Sequence, residues 1–342
     1  MFFALVVSIE IFLVGLYQLT PIVKNKGLKS IVASYYFNYG RKLEQFYCGK
    51  YDSELFYLYK EGSCSVQNLE FLTKINGNSF GVRDSEEKLK QNPRIAFVGD
   101  SHTSGWGIKY GERFSDLVSK NTNIETINLG VSSYGTVRAL KIFERYLKLN
   151  PNIEYLVIQY EGNDNNENMF YQKDGNILNV SDSNKYSKAK KWNIKKSTYS
   201  LGDANVYFFK TARDRIKIKL KESWGIEIGK MPYVPSKKES SIEYIQKKLS
   251  RDIDYFHNVL KNHSELLIDK KVIVFGLGMT NGWYEKLLDK VERDKLPFKL
   301  TIFNAYEFLN SDDFFYLDGH INQSGHQKIS SKLVSLIGHL KD

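Results

Sequence analysis

Cysteine is almost missing from this sequence: Cys48 and Cys64 are the only two in 342 residues. A chain of this length can bury a substantial core without a dense disulfide framework. No spacing of His and Cys suggests a structural zinc site, and no glycine-rich loop is built to cradle a phosphate. A metal or cofactor is therefore not required. Internal repeats are absent too. The net charge of +10 comes mainly from scattered lysines, with no arginine-rich block and no nucleic-acid motif. Nucleic acid is accordingly not the expected partner, while an anionic surface such as phospholipid or acidic glycan stays open. With 42% hydrophobic and 26% charged residues, extended disorder is not indicated.

What is present begins with an apolar run, Phe2 to Leu19, interrupted by Ser8, Glu10 and Gln18. A helix of this length just crosses a bilayer core of about 30 Å. No lysine or arginine precedes the run and no clear small-residue cleavage site follows it, so it reads as a membrane helix over residues 1–23. Glu10 is its awkward member, because an acid at mid-membrane is costly unless protonated or paired. Lys24, Lys26 and Lys29 would keep the remaining chain in the cytoplasm by the positive-inside rule. Cys48 and Cys64 argue the other way if they pair, since a closed loop suits an oxidising compartment; two unrelated buried thiols are the alternative.

Residues 24–90 form a lead-in rich in tyrosine and phenylalanine, and 91–342 read as the catalytic domain. Short apolar strands are expected at Arg94 to Val98, Thr126 to Leu129, Tyr155 to Tyr160, Val272 to Phe275 and Leu300 to Phe303. Amphipathic helices fall between and after them. Val137, Leu140, Phe143 and Leu147 share one face, as do Ile242, Ile245, Leu249, Ile253, Phe256 and Leu260, and Ile329, Leu333, Leu336 and Leu340 close the chain. The pattern implies an α/β fold whose parallel sheet is covered on both faces and binds ligands at the carboxyl ends of its strands. Residues 165–240 break the alternation. They read as an insertion carrying the basic run Lys185 to Lys196 and a helix-like stretch with Val206, Phe209, Ile216 and Leu220. A lid or substrate platform and a plain solvated helix are both compatible with it.

Four blocks fall at strand ends. Gly99-Asp100-Ser101-His102-Thr103-Ser104-Gly105-Trp106-Gly107 follows the first strand, and Asn128-Leu129-Gly130 the second. Gly162-Asn163-Asp164 follows the third, and Asp318-Gly319-His320-Ile321-Asn322 precedes the last helix. Serine, glycine, asparagine and histidine in this order resemble the SGNH (GDSL-type) hydrolase superfamily. Asn78-Ser79-Phe80-Gly81-Val82-Arg83-Asp84 also resembles the segment that precedes the first block in membrane-anchored members. Glu161 departs from the pattern, which has glycine two residues before the asparagine. So does Leu317, where the commonest arrangement has aspartate; Asp318 matches the Asp-x-His form of a related branch of acyl esterases and acetyltransferases.

The resemblance implies a flavodoxin-like three-layer α/β/α domain with a parallel sheet of about five strands. It further implies Ser101 as nucleophile, His320 as base and Asp318 as its orienting carboxylate. The oxyanion donors would be the Ser101 and Gly130 N–H groups and the Asn163 amide. Asp100 is expected to brace the turn and His102 to line the cleft. His326 is expected to face into or cap the last helix, and His257, His263 and His339 to lie at the surface. The leading functional reading is an esterase that removes an acyl group, such as acetyl, from an envelope carbohydrate or lipid, with its catalytic domain outside the cytoplasm. An O-acetyltransferase keeps every residue and changes the acceptor, and a non-catalytic glycan-binding protein is the third reading.

Overall fold

Strands form in this chain where β-branched and aromatic residues run unbroken for a few positions, and the buried ones align in parallel. The computed structural model describes residues 2–174, 182–198, 202–207, 209, 242–279 and 282–339. Its strands are β1 (Gly49–Asp52), β2 (Phe56–Tyr59), β3 (Gly62–Gln67), β4 (Leu72–Gly77), β5 (Ile95–Val98), β6 (Thr126–Asn128), β7 (Tyr155–Glu161), β8 (Lys271–Leu277) and β9 (Leu300–Phe303). The last five make one parallel sheet in the order β6-β5-β7-β8-β9. All five expected strands are found, with ends moved by a residue or two.

Alternation along these strands divides the core into two layers. Ile95, Phe97, Val157, Ile273 and Phe275 pack with Phe114, Val118, Ile329 and Leu333, from the helices Phe114–Thr122 and Gln323–His339. Ala96, Val98, Leu156, Ile158, Val272 and Val274 face the opposite way. They meet Val137, Leu140 and Phe143 of the helix Thr136–Leu147, Leu249, Ile253, Phe256 and Leu260 of Ile242–Asn262, and Trp283 of Trp283–Arg293. The result is a three-layer α/β/α sandwich. Of the expected helix faces, the Ile242 and Ile245 side chains and Leu340 lie outside the described residues.

The chain separates into two compact units. The larger holds residues 42–194, 248–315 and 319–342. Here the later part of the lead-in forms two antiparallel hairpins, β1–β2 and β3–β4, whose Tyr57, Leu58, Tyr59, Val66 and Ile75 join the sheet's second core layer. Cys48 and Cys64 are bonded to each other within this region. The basic run expected at Lys185 to Lys196 lies on a helix, Ser183–Lys196, whose Trp192 is exposed.

The smaller unit holds residues 1–41, 195–247 and 316–318, so the lead-in is shared between units instead of standing as one segment. Its helix Phe2–Val23 contains a stretch, Phe3–Val23, long and apolar enough to cross a membrane, with a mean hydropathy of 1.9. Phe3, Leu5, Ile11 and Phe12 are exposed on it. Glu10 is buried, and its carboxylate accepts the backbone N–H groups of Ala204 (3.3 Å) and Asn205 (2.9 Å). The acid that looks misplaced in an apolar run thus has two donors from the inserted segment. Val206 and Phe209 of that segment are exposed, and Ile216 and Leu220 lie outside the described residues.

Candidate active site

The catalytic rim begins where β5 runs out at Val98. Gly99 turns the chain with φ +149°, and a Cβ there would sit 2.5 Å from the Thr103 hydroxyl and 2.7 Å from Gln159 Oε1. Only glycine allows this approach. Asp100 caps the short helical turn Ser101–Ser104, its Oδ1 accepting the His102 N–H at 2.9 Å. Ser101 stands first in that turn, where N–H groups have no intrahelical acceptor. Gln159 of β7 steadies the corner, with Oε1 accepting from the Asp100 N–H (3.2 Å) and the Thr103 hydroxyl (3.1 Å).

The Ser101 hydroxyl and His320 Nε2 lie 2.8 Å apart, joined across 219 positions of sequence. Both side chains are buried. His320 is carried on a loop that closes on itself: Phe315 N–H donates to the His320 carbonyl at 2.8 Å, and Gly319 N–H to the Phe315 carbonyl at 3.0 Å. Its ring faces those of His102 (4.6 Å between centroids) and Trp106 (5.5 Å). With a hydroxyl, an imidazole and the Ser101 N–H at the start of a helical turn together, the site has the parts for attack on a carbonyl.

The remaining expected residues are placed less simply. Gly130 packs against the serine turn so closely that a Cβ would meet the Ser104 nitrogen at 2.6 Å. Its N–H donates to Asn128 Oδ1 at 2.9 Å. The Asn128 amide is held in turn by the Thr103 carbonyl (2.6 Å) and the Ser115 hydroxyl (2.7 Å). Asn163 is exposed after β7, and its Nδ2 donates to Glu161 at 2.9 Å. Asp318 belongs to the smaller unit, where it accepts the Tyr36 hydroxyl at 2.5 Å and lies 3.5 Å from the Arg41 guanidinium. Burial and the Asp318 charge raise the Tyr36 phenol far above its ordinary value, so it stays a donor.

Four supports of the rim escaped the sequence reading. Arg83, in the segment before the first block, is fully buried and donates to the carbonyls of Ser104 (3.0 Å), Gly105 (2.6 Å) and Ile108 (2.6 Å), clamping the chain after the serine. Burial and the neighbouring Arg113 lower its pKa to about 10. Glu44 of the lead-in accepts from the hydroxyls of Tyr59, Ser104 (3.2 Å) and Ser132, tying the first block to the second. Gln159 holds the corner as described. The fourth is Glu161 itself, whose carboxylate accepts the Asn163 amide at 2.9 Å and interacts electrostatically with Asp100. Burial opposes its ionisation, but Asp100 and the nearby His102 and His320 outweigh it and lower its pKa. Asp100 moves the opposite way, raised by burial and by the Glu161 charge. The only hint in the sequence was that Glu161 sits where the resembling family has glycine.

Among the other histidines, His326 accepts the Phe114 N–H at 3.0 Å through Nδ1, and burial pushes its pKa well down, which keeps it neutral. His257 is buried at 1% exposure, so the surface position expected for it is corrected. Its helix turns that position inward with Phe256 and Leu260. His263 is partly buried, and nothing is described of the His339 side chain.

Strand order β6-β5-β7-β8-β9 and four blocks at the carboxyl ends of strands or in the loop before the last helix define the architecture. The fold is a three-layer α/β/α sandwich on a parallel five-stranded sheet. No family model matches the chain, and no curated protein matches it in sequence. Among solved structures, it is similar to a G-D-S-L family lipolytic protein from Desulfitobacterium hafniense, with 11% identity, 71% of this chain and 99% of that chain covered, and a TM-score of 0.33. It is also similar to a carbohydrate esterase at 13% identity, over 73% of this chain and 65% of that one, with a TM-score of 0.35. An acetyl xylan esterase from Butyrivibrio proteoclasticus shows 14% identity over 72% and 63% of the two chains, with a TM-score of 0.35. The chain thus spans just under two thirds of the length of those two esterases.

Proposed function

We propose that this SGNH-like chain is a serine esterase that removes an acyl group, acetyl being the smallest, from a carbohydrate or lipid of the cell envelope. The observation that carries the reading is the 2.8 Å contact between the Ser101 hydroxyl and His320 Nε2. His320 takes the hydroxyl proton as Ser101 attacks the ester carbonyl, then returns it to the leaving alcohol. Water attacks the acyl-enzyme in a second round of the same chemistry. The Ser101 N–H and the second hydrogen of Asn163 Nδ2 are the oxyanion donors. The Gly130 N–H joins them by sharing its proton with Asn128 Oδ1. Asp318 is the orienting carboxylate, itself kept in place by Tyr36 and Arg41.

The apolar helix Phe2–Val23 would hold the enzyme at a membrane, and the bonded Cys48–Cys64 pair favours a catalytic unit outside the cytoplasm. Purified full-length protein in detergent, given p-nitrophenyl acetate with and without an envelope polysaccharide, tests the reading. Ser101→Ala and His320→Ala are expected to abolish hydrolysis, a loss of at least about 10⁴-fold. Acyl transfer to the polysaccharide exceeding hydrolysis would assign a sugar hydroxyl as acceptor in place of water. Equal rates in wild type and Ser101→Ala would remove the nucleophile.

A further inference from the structure

A cavity of about 580 Å³ opens beyond the ends of β8 and β9, lined by Gly278, Met279, Glu285, Asn304 and Tyr306 among others. It borders the catalytic rim. A Cβ on Gly278 would lie 3.6 Å from Glu161 Cγ, and Glu161 ends β7, the strand paired with β5, which leads into Ser101. Since β7 separates β5 from β8, the cavity stands about 10 Å from the serine corner, two strand spacings away.

Tyr306 is 41% exposed, yet its ring is tethered through the phenolic oxygen and its backbone is held at the base. The phenolic oxygen accepts the backbone N–H of Gly278, and the Tyr306 backbone N–H donates to Asn304 Oδ1 at 3.0 Å. A large exposed aromatic face whose rotamer is already set loses little entropy when something stacks on it. Asn304 spends Oδ1 on that bond and keeps Nδ2 to donate. Glu285 is exposed and can accept from hydroxyls. Among the described residues no lysine or arginine lines the cavity, so these offer nothing to a phosphate or a uronate.

We propose that this cavity is a subsite for a neutral sugar ring of the substrate, stacked on Tyr306, with its hydroxyls donating to Glu285 and accepting from Asn304. The proposal rests on the esterase reading and narrows it: the acyl group would be removed from a neutral glycan, one or two sugar units from the ring held here. A lipid headgroup carrying phosphate would find no partner in it.

The test compares kcat/KM on p-nitrophenyl acetate with kcat/KM on O-acetylated cello-oligosaccharides for the full-length protein and for Tyr306→Ala, Tyr306→Phe and Glu285→Ala. The oligosaccharide-to-nitrophenyl ratio is expected to fall about tenfold in Tyr306→Ala and severalfold in Glu285→Ala, through KM. Tyr306→Phe, which keeps the stacking face and loses the tether, should fall less. A ratio that stays constant in all three variants overturns the subsite. In a second arm, Ser101→Ala protein is titrated with unacetylated cellotetraose and with an oligogalacturonate. Binding of the neutral sugar that Tyr306→Ala removes supports the subsite even if no ester is hydrolysed. Equal or preferred binding of the acidic sugar overturns it. Failure of p-nitrophenyl acetate hydrolysis alone would count against the esterase and leave the sugar titration to decide the subsite.

Discussion

Acids are handled differently in the two compact units, and the contrast separates structural from chemical use of charge. In the smaller unit each buried carboxylate is given donors: Glu10 takes two backbone N–H groups, and Asp318 takes the Tyr36 hydroxyl with Arg41 alongside. Along the sheet rim of the larger unit, carboxyls are set beside carboxyls. Burial and the Glu161 charge raise the pKa of Asp100, and burial with the Glu161 and Glu167 charges raises that of Asp164, each well above its ordinary value. Crowding like charges opposes folding. An arrangement with that cost is typical of a place where protons are to be moved, and the rim is where Ser101 and His320 meet.

Three measurements would break or sharpen this contrast. The largest effect is expected from Asn163→Ala, which removes both the donor to Glu161 and the proposed oxyanion donor. kcat should fall by about 10²–10³ with KM little changed. A loss below threefold would take Asn163 out of the site.

Next come the two carboxylates that compete to support the imidazolium. If Glu161 acts on His320 through its charge, Glu161→Gln moves the acidic limb of the kcat/KM profile to lower pH and costs about tenfold in rate at neutral pH. If Asp318 alone orients the ring, Asp318→Asn carries the larger loss, and Glu161→Gln leaves the limb where it was. Measuring both profiles on p-nitrophenyl acetate ranks the two residues.

The smallest effect concerns stability. A carboxyl whose folded-state pKa is raised binds more protons folded than unfolded. Its stabilising share is therefore full below the unfolded value of about 4 and is lost as pH rises through the folded value. Asp164→Asn, which can still accept the Thr136 hydroxyl, should raise Tm by on the order of a few degrees at pH 8 and by less at pH 5. An equal or opposite change at the two pH values would show that the rim is not strained by its acids.

Local rules were enough to read much of the molecule. The runs at Ile95–Val98 and Tyr155–Glu161 are strands because short unbroken apolar stretches between amphipathic helices have few other ways to be buried. Gly99 and Ser101 are legible for the same reason, since a tight turn at a strand end demands a residue without Cβ. Arg83, Glu44 and Gln159 were not legible in the roles they take. The partners described for them lie between 15 and 88 positions away, and a buried arginine looks no different in sequence from a solvated one. His257 shows the converse, its apolar neighbours Phe256, Val259 and Leu260 marking an inward face that the histidine was not credited with sharing.

By itself the sequence determined the order of the strands along the chain, the residue types at their ends and the apolar first helix, because each follows from hydrophobic period and turn chemistry within a few residues. Only the tertiary structure decided that Ser101 and His320 stand within hydrogen-bond reach, that Gly130 lends its N–H to Asn128, and that Gln159 holds the Asp100 corner. These are distances across the sheet rim. They depend on which strands become neighbours, and that is set by packing of the whole core and not by any segment of it.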